Sequence, residues 1–230
     1  MARALAIVAH PDDEVLGVGG TLASLSASGV EVFVAVACEG VGLRHGTASL
    51  DSVRARTSHA ASLLGVSRCL FGSHGLDGRL LADQEQSEVV RYVERLIEEV
   101  RPQVVFTHAS QDIHADHRSL RVAVLYASRT FVRPFLTELM LFETLSSTEQ
   151  GFGITNAFRP NTFVDVSGHM SAKLAALSLY EEELGPFPHP RSREAVEGLA
   201  VVRGAQAGFN RAEAFEMVFS KRRSLCFNVS

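Results

Sequence analysis

A chain of 230 residues, 46% of them hydrophobic and 21% charged, fits one ordinary α/β domain with a full core. Its net charge of -4, with no basic run longer than the three residues 221–223, excludes the electrostatic footprint of a nucleic-acid binder. The early apolar run at 5–9 is far too short to span a bilayer and follows no basic leader with a cleavage site, and Cys38, Cys69 and Cys226 form neither a C-x-x-C pair nor a disulfide framework, so a cytoplasmic chain with reduced thiols and no stable membrane insertion is expected.

Near-continuous apolar runs at 5–9, 30–37, 69–71, 104–107, 139–142 and 163–166 read as strands buried on both faces. Between and after them, helical spacing predicts helices at 17–28, 50–64, 86–100, 116–131, 169–182 and 191–203. Gly29, Gly65 and Pro102 mark helix ends, and Asp83 and Ser87 are candidate caps for the third helix. Strands alternating with helices predict a single Rossmann-like α/β domain over 1–230, with a mostly parallel central sheet flanked by helices. The looser stretches at 40–49, 72–84, 146–160 and 185–193 are rich in Gly, Pro, Ser or His. In such a fold the ligand site lies at the C-terminal ends of the strands.

The first predicted strand runs directly into His10-Pro11-Asp12-Asp13-Glu14. Three carboxylates this close repel one another and resist ionising in a partly buried place unless a cation offsets them. Pro11 fixes its own φ and disfavours helix at His10, so the acids are expected in the turn, with the helix beginning only after them. A simpler reading makes this an acid-rich helix start that meets the helix dipole, but that needs one acid and no histidine. Gly17, Gly19 and Gly20 resemble a pyrophosphate-binding turn, yet they follow acids that would repel a phosphate and are read as close helix-to-sheet packing.

The strand at 104–107 runs out the same way, into Asp112, His114, Asp116 and His117. If the two strands neighbour one another in a parallel sheet, both loops face one crevice. Their imidazoles and carboxylates then suit zinc with two His, one carboxylate and an open water position, and iron(II) or cobalt(II) would fit the same ligands. Taken alone, the second loop also reads as a solvated charge cluster.

AHPDDE near the start, followed about a hundred residues later by D-x-H-x-D-H, resembles the PIG-L/LmbE-like family of zinc-dependent N-deacetylases. Leu64-Gly65, Asp77-Gly78, residues 163–166 and Arg203-Gly204 extend the likeness along the chain. The resemblance implies His10, Asp13 and His117 as metal ligands, Asp12 as general base and His114 as the group that polarises the carbonyl. Asp116 would orient and charge-stabilise His114. It further implies Arg54 and Asp77 as contacts to sugar hydroxyls, although Arg54 is followed by Arg56 and Thr57 where the family usually has an acidic residue one turn on. The expected activity is removal of the acetyl group from a small-molecule N-acetylglucosamine-type amino sugar or conjugate. The rival readings are an amidase on a larger acyl or thiol conjugate and an inactive binding module. Glu14, Asp112, His108, His189 and Arg191 receive no firm role, and homo-oligomerisation stays open.

Overall fold

Seven strands make one sheet in the computed structural model, which describes residues 1–39, 49–72, 81–153, 157–222 and 224. In chain order they are β1 (Arg3–Val8), β2 (Glu31–Val36), β3 (Arg68–Phe71), β4 (Val104–His108), β5 (Glu138–Phe142), β6 (Thr162–Asp165) and β7 (Ala212–Ser220). Their spatial order is β3-β2-β1-β4-β5-β7-β6. The first five are mutually parallel, while β7 runs antiparallel between β5 and β6. The chain steps outward from β1 to β3 and then returns to lay β4 on the other side of β1. The carboxyl ends of β1 and β4 therefore form the point where strand order reverses, the usual ligand crevice of an open α/β sheet.

Strand β1 shows why these runs are apolar without alternation. Leu5 and Ile7 enter the core beneath α3 (Gln86–Val100) and α4 (Ala115–Ala127). Ala4, Ala6 and Val8 enter the opposite core, beneath α1 (Asp13–Ala27), α5 (Met170–Leu177) and α6 (Arg193–Ala207). Successive side chains point to opposite faces, so a strand covered on both sides must be apolar throughout. Strand β7 escaped this signal because Glu213 and Glu216 interrupt it. Glu213 is buried against Lys173, and its carboxylate accepts the Gly20 and Thr21 backbone N–H groups of α1.

Several boundaries differ from the sequence expectation. Helix α1 starts at Asp13 rather than after the acids, because Asp12 takes a left-handed φ of 99° and turns the chain into the helix at once. Pro11 keeps His10 out of the helix but has no hold on Asp13. Helix α2 (Leu50–Leu63) is capped by Ser49. Neither Asp83 nor Ser87 caps α3: Asp83 closes a 3-10 turn (Leu81–Asp83), Ser87 lies inside the helix, and the capping position falls to Glu85, whose side chain makes no cap bond. The expected helix at 169–182 breaks into α5 and a 3-10 segment (Ser178–Glu183) at whose kink Tyr180 leaves helical geometry.

The glycines of α1 act in packing. A Cβ on Gly17 would stand 2.2 Å from the Phe142 ring, and one on Gly20 would stand 2.9 Å from Val166, so the helix lies closer to the sheet than a side chain allows. At Gly19 there is ordinary room, 3.5 Å to the nearest atom. Among the described residues no helix is long and apolar enough to cross a membrane.

Candidate active site

The loop after β1 and the loop after β4 meet at the crevice, tied by His108, whose Nε2 accepts the Ala9 N–H at 2.9 Å. Asp12, Asp13 and Glu14 are no more than 2% exposed, so none is a solvated surface acid. Asp12 makes no side-chain capping bond, which removes the simple helix-dipole reading of this motif. Glu14 accepts the Tyr180 hydroxyl proton at 2.5 Å and the Asp12 N–H at 3.0 Å, and burial pushes its carboxyl up to about 7. It holds the loop from behind.

Three donor atoms converge. His10 Nδ1 lies 3.5 Å from Asp13 Oδ2, His117 Nε2 lies 3.3 Å from the same oxygen, and the two ring nitrogens are 3.3 Å apart. The outer nitrogens of both rings face carboxylates. His10 Nε2 is 2.9 Å from Asp116 Oδ2, and His117 Nδ1 is 2.9 Å from Asp112 Oδ2. In the neutral rings the protons sit on those outer nitrogens, so two lone pairs and a carboxylate oxygen point at one another. Such a triangle is stable only around a positive charge. Burial alone would lower the His117 imidazolium, but Asp13 and Asp112 outweigh it and push the group up to about 10. His10 is raised by Asp116 and Asp13 against the same penalty from burial. Against its own burial, Asp13 is held well below the usual carboxylate range by His117 and His108.

A divalent cation answers the same demand. Tetrahedral N and O ligands about 2.0–2.1 Å from zinc stand ~3.3 Å apart, as these three atoms do. The donor set therefore fits a metal. The ring nitrogens of His10, His114 and His117 also lie within 4.8 Å of one another, as do donor atoms of Asp13, His108 and His117. His114 Nδ1, however, is already occupied as an acceptor, taking the Asp116 N–H at 3.2 Å as the cap of α4.

That cap bond leaves the His114 proton on Nε2, on a ring that lines the cavity. Burial and the neighbouring His10 push the His114 imidazolium down to about 4, so near neutral pH the ring is an uncharged hydrogen-bond donor. Asp116 is not chiefly its partner: the nearest carboxylate oxygen is 3.9 Å from His114 Nδ1, while Asp116 binds His10 and accepts the Ala82 N–H at 2.9 Å. The oriented histidine is the one after β1. Asp112 does the same for His117, and is itself fixed by the hydroxyls of Ser147 and Thr148. His108 stacks on His117 at 3.8 Å and is driven down to about 3 by burial and by His117, so it buttresses as a neutral ring.

Asp12 stands on the open side. A cavity of about 200 Å³ is bounded by His10, Asp12, His114 and His117 on one side and by Arg56, Tyr180, Glu183, Ser146 and Arg191 on the other. Arg191 reaches in from the proline-rich loop: its Nη1 is 2.6 Å from Asp12 Oδ2 and 3.2 Å from Glu183, and its Nε donates to Ser146 Oγ at 2.7 Å. Burial raises Asp12 well above the usual carboxylate range, and Arg191 works against that rise.

The presumed sugar contacts fare differently. Arg54 turns its guanidinium onto the buried Glu39 at the end of β2, with Nη2 2.9 Å from Oε1, and does not line the cavity. Arg56, two positions on, does. Asp77 lies outside the described residues, as do Gly78 and Cys226. Arg191, named from the sequence without a firm role, lies in a proline-stiffened loop and lines the cavity, whereas Tyr180 was missed. Tyr180 carried no signal, because its position follows from a helix break that no local pattern announces.

Residues 5–128 match the family described as PIG-L: GlcNAc-PI de-N-acetylase. The chain is 27% identical over 228 residues to a diacetylchitobiose deacetylase from Thermococcus kodakarensis, covering 94% of this chain and 83% of that one. It is also 27% identical over 248 residues to a 1D-myo-inositol 2-acetamido-2-deoxy-alpha-D-glucopyranoside deacetylase from Thermomonospora curvata, covering 80% of this chain and 83% of the relative. Among solved structures, a 4-carboxy-2-hydroxymuconate hydratase from Pseudomonas putida KT2440 shares the fold, with a TM-score of 0.74 at 21% identity over 99% of this chain and all of that one. The same fold thus serves more than one reaction, and the chemistry has to be argued from the side chains.

Proposed function

From the premise that the chain belongs to the PIG-L family, we propose that it is a zinc-dependent hydrolase that removes the N-acetyl group from an N-acetylglucosamine-type sugar or conjugate. The observation that carries this reading is the triangle of His10, Asp13 and His117 donor atoms, with Asp12 and the His114 ring bounding the same cavity. The two relatives named above support the sugar class, since both are described as deacetylases of acetamido sugars.

His10, Asp13 and His117 would hold the metal, with the outer nitrogens of the two rings anchored on Asp116 and Asp112. When bound, zinc supplies Lewis acidity and lowers the pKa of water towards ~7. Asp12 accepts the proton of the attacking water and later delivers it to the leaving nitrogen. Arg191 holds the Asp12 carboxylate in place and opposes the rise in proton affinity that burial imposes on it. His114, neutral and with its proton on Nε2, donates a hydrogen bond to the carbonyl oxygen as negative charge develops there. A neutral donor does this without first acquiring a proton.

The test is acetate release from a panel of N-acetylated sugars and N-acetylated aliphatic amines, run with zinc and after chelation. Zinc-dependent release from the sugars is the expected result. Release from the amines alone would overturn the sugar assignment, and undiminished release after exhaustive chelation would overturn the metal.

A further inference from the structure

Two arginines, Arg56 and Arg191, line the cavity while Arg54 does not, and the three differ in how much of each guanidinium the protein already uses. Arg54 is clasped on two nitrogens by Glu39. Arg191 is shared among Asp12, Glu183 and Ser146. Arg56 lines the cavity, yet among the described residues it has one distant ion partner, Glu182 at 3.5 Å. Its Nε is buried and has no hydrogen-bond partner at all. The guanidinium carbon lies over the Tyr180 ring, 5.6 Å from its centroid. A guanidinium carries five donors, and a buried donor without an acceptor is unfavourable. Among the described residues, Arg56 is therefore a group with its donors largely uncommitted at the edge of the cavity.

We propose that Arg56, rather than Arg54, is the specificity-determining arginine of this site, and that it takes two adjacent acceptor oxygens of the substrate. Neighbouring ring hydroxyls supply such a pair, and so does an anionic substituent on the sugar. The guanidinium neighbours Tyr180, whose hydroxyl is bonded to Glu14 behind the Asp12 loop, so substrate held by Arg56 is held near the proposed base. A lysine in its place would keep the charge but lose the planar fork that matches paired oxygens. This inference rests on the deacetylase reading above.

The experiment compares wild type, Arg56→Ala and Arg56→Lys on N-acetylglucosamine and on its 6-phosphate, with metal content measured for each protein. Arg56→Ala is expected to raise KM about tenfold or more while kcat stays within about threefold and metal content is unchanged, with Arg56→Lys recovering only part of the loss. A larger penalty on the phosphate places the anion on Arg56, and equal penalties place the hydroxyls there. KM within about twofold of wild type on both substrates in Arg56→Ala would overturn the proposal while leaving the deacetylase reading intact. A wild-type protein that releases acetate from no sugar would overturn that reading, and this proposal with it.

Discussion

The two halves of the cavity are built in opposite ways. On the metal side the outer atoms of the proposed ligands are answered: His10 by Asp116, His117 by Asp112, Asp112 by Ser147 and Thr148, with His108 stacked behind. All of these residues except Ser147 and Thr148 come from the loops that leave β1 and β4, from the first turn of α4 or from the end of β4 itself. On the substrate side Arg56, Ser146, Tyr180 and Arg191 come from four separate stretches of chain, and among the described residues the Arg56 Nε is buried without a partner. A site that must hold an ion in one geometry is over-determined by its supports. A site that must accept and release a ligand leaves donors for the ligand to fill.

The sharpest way to break that contrast is to empty the metal side. If His10, Asp13 and His117 hold the metal as proposed, Asp13→Ala and His117→Ala each remove one of three ligands, so both are expected to lose bound metal and activity by ~10³ or more. Metal analysis of the purified variants checks this, and full metal in both would move the ligand set. Chelation of wild type gives the matching test of charge. In the metal-free protein the His117 pKa, about 10, lies above its unfolded value. The stability it contributes is therefore fully present below about pH 6.5 and lost as pH rises through about 10. The melting temperature of the chelated protein should fall across that window, and added zinc should flatten the fall, because the metal replaces the proton that high pH removes.

The same contrast explains what the sequence disclosed. The metal side was legible because its ligands are local to two strand ends, and two parallel strands with charged exits imply a shared crevice once they are neighbours. Residues 10–14 and 112–117 could be read as one site without coordinates. The partners within that site were not legible: whether Asp116 serves His114 or His10 depends on how the α4 start is turned, and the His114 cap bond that turns it is a matter of ångströms. The substrate side was scarcely legible, since Tyr180 reaches it only through the kink after α5, and Arg56 and Arg54 are separated by one position on a helix whose rotation the sequence leaves open. Strand β7 was hidden for the related reason that its buried charge, Glu213, is explained only by Lys173, forty residues away.

Smaller effects sharpen the division of labour within the metal side. Asp12→Asn keeps the shape and the ligands but removes the base, so kcat should fall by ~10² or more with metal retained. A rate near wild type would assign the proton transfer to another group. Asp116→Asn should weaken metal affinity by ~10- to 100-fold, because His10 loses the carboxylate that fixes its tautomer and raises its basicity. If Asp116 served His114 instead, the same variant would lower kcat at saturating metal and leave metal affinity untouched, so a metal titration separates the two.

The smallest expected effect lies where the two halves touch, at Arg191. Its guanidinium is the one group of the substrate side bonded to the proton-transfer machinery, at 2.6 Å from Asp12. Removing it leaves the Asp12 carboxylate buried beside Asp13, Glu14 and Glu183, all of which raise its proton affinity, with nothing to oppose them. A base must be deprotonated to work, so the acid limb of the pH–rate profile should move to higher pH in Arg191→Ala. The rate at pH 7 should then fall by about tenfold and recover towards wild type as pH is raised, with metal content unchanged. Arg191→Lys keeps a positive charge but cannot bridge Asp12, Glu183 and Ser146 together, so its acid limb should lie between the other two. A loss of rate equal at every pH, with the acid limb unmoved, would mean that Arg191 acts on the substrate or on the loop alone. The boundary between the two halves of the cavity would then run between Asp12 and Arg191 rather than through their ion pair.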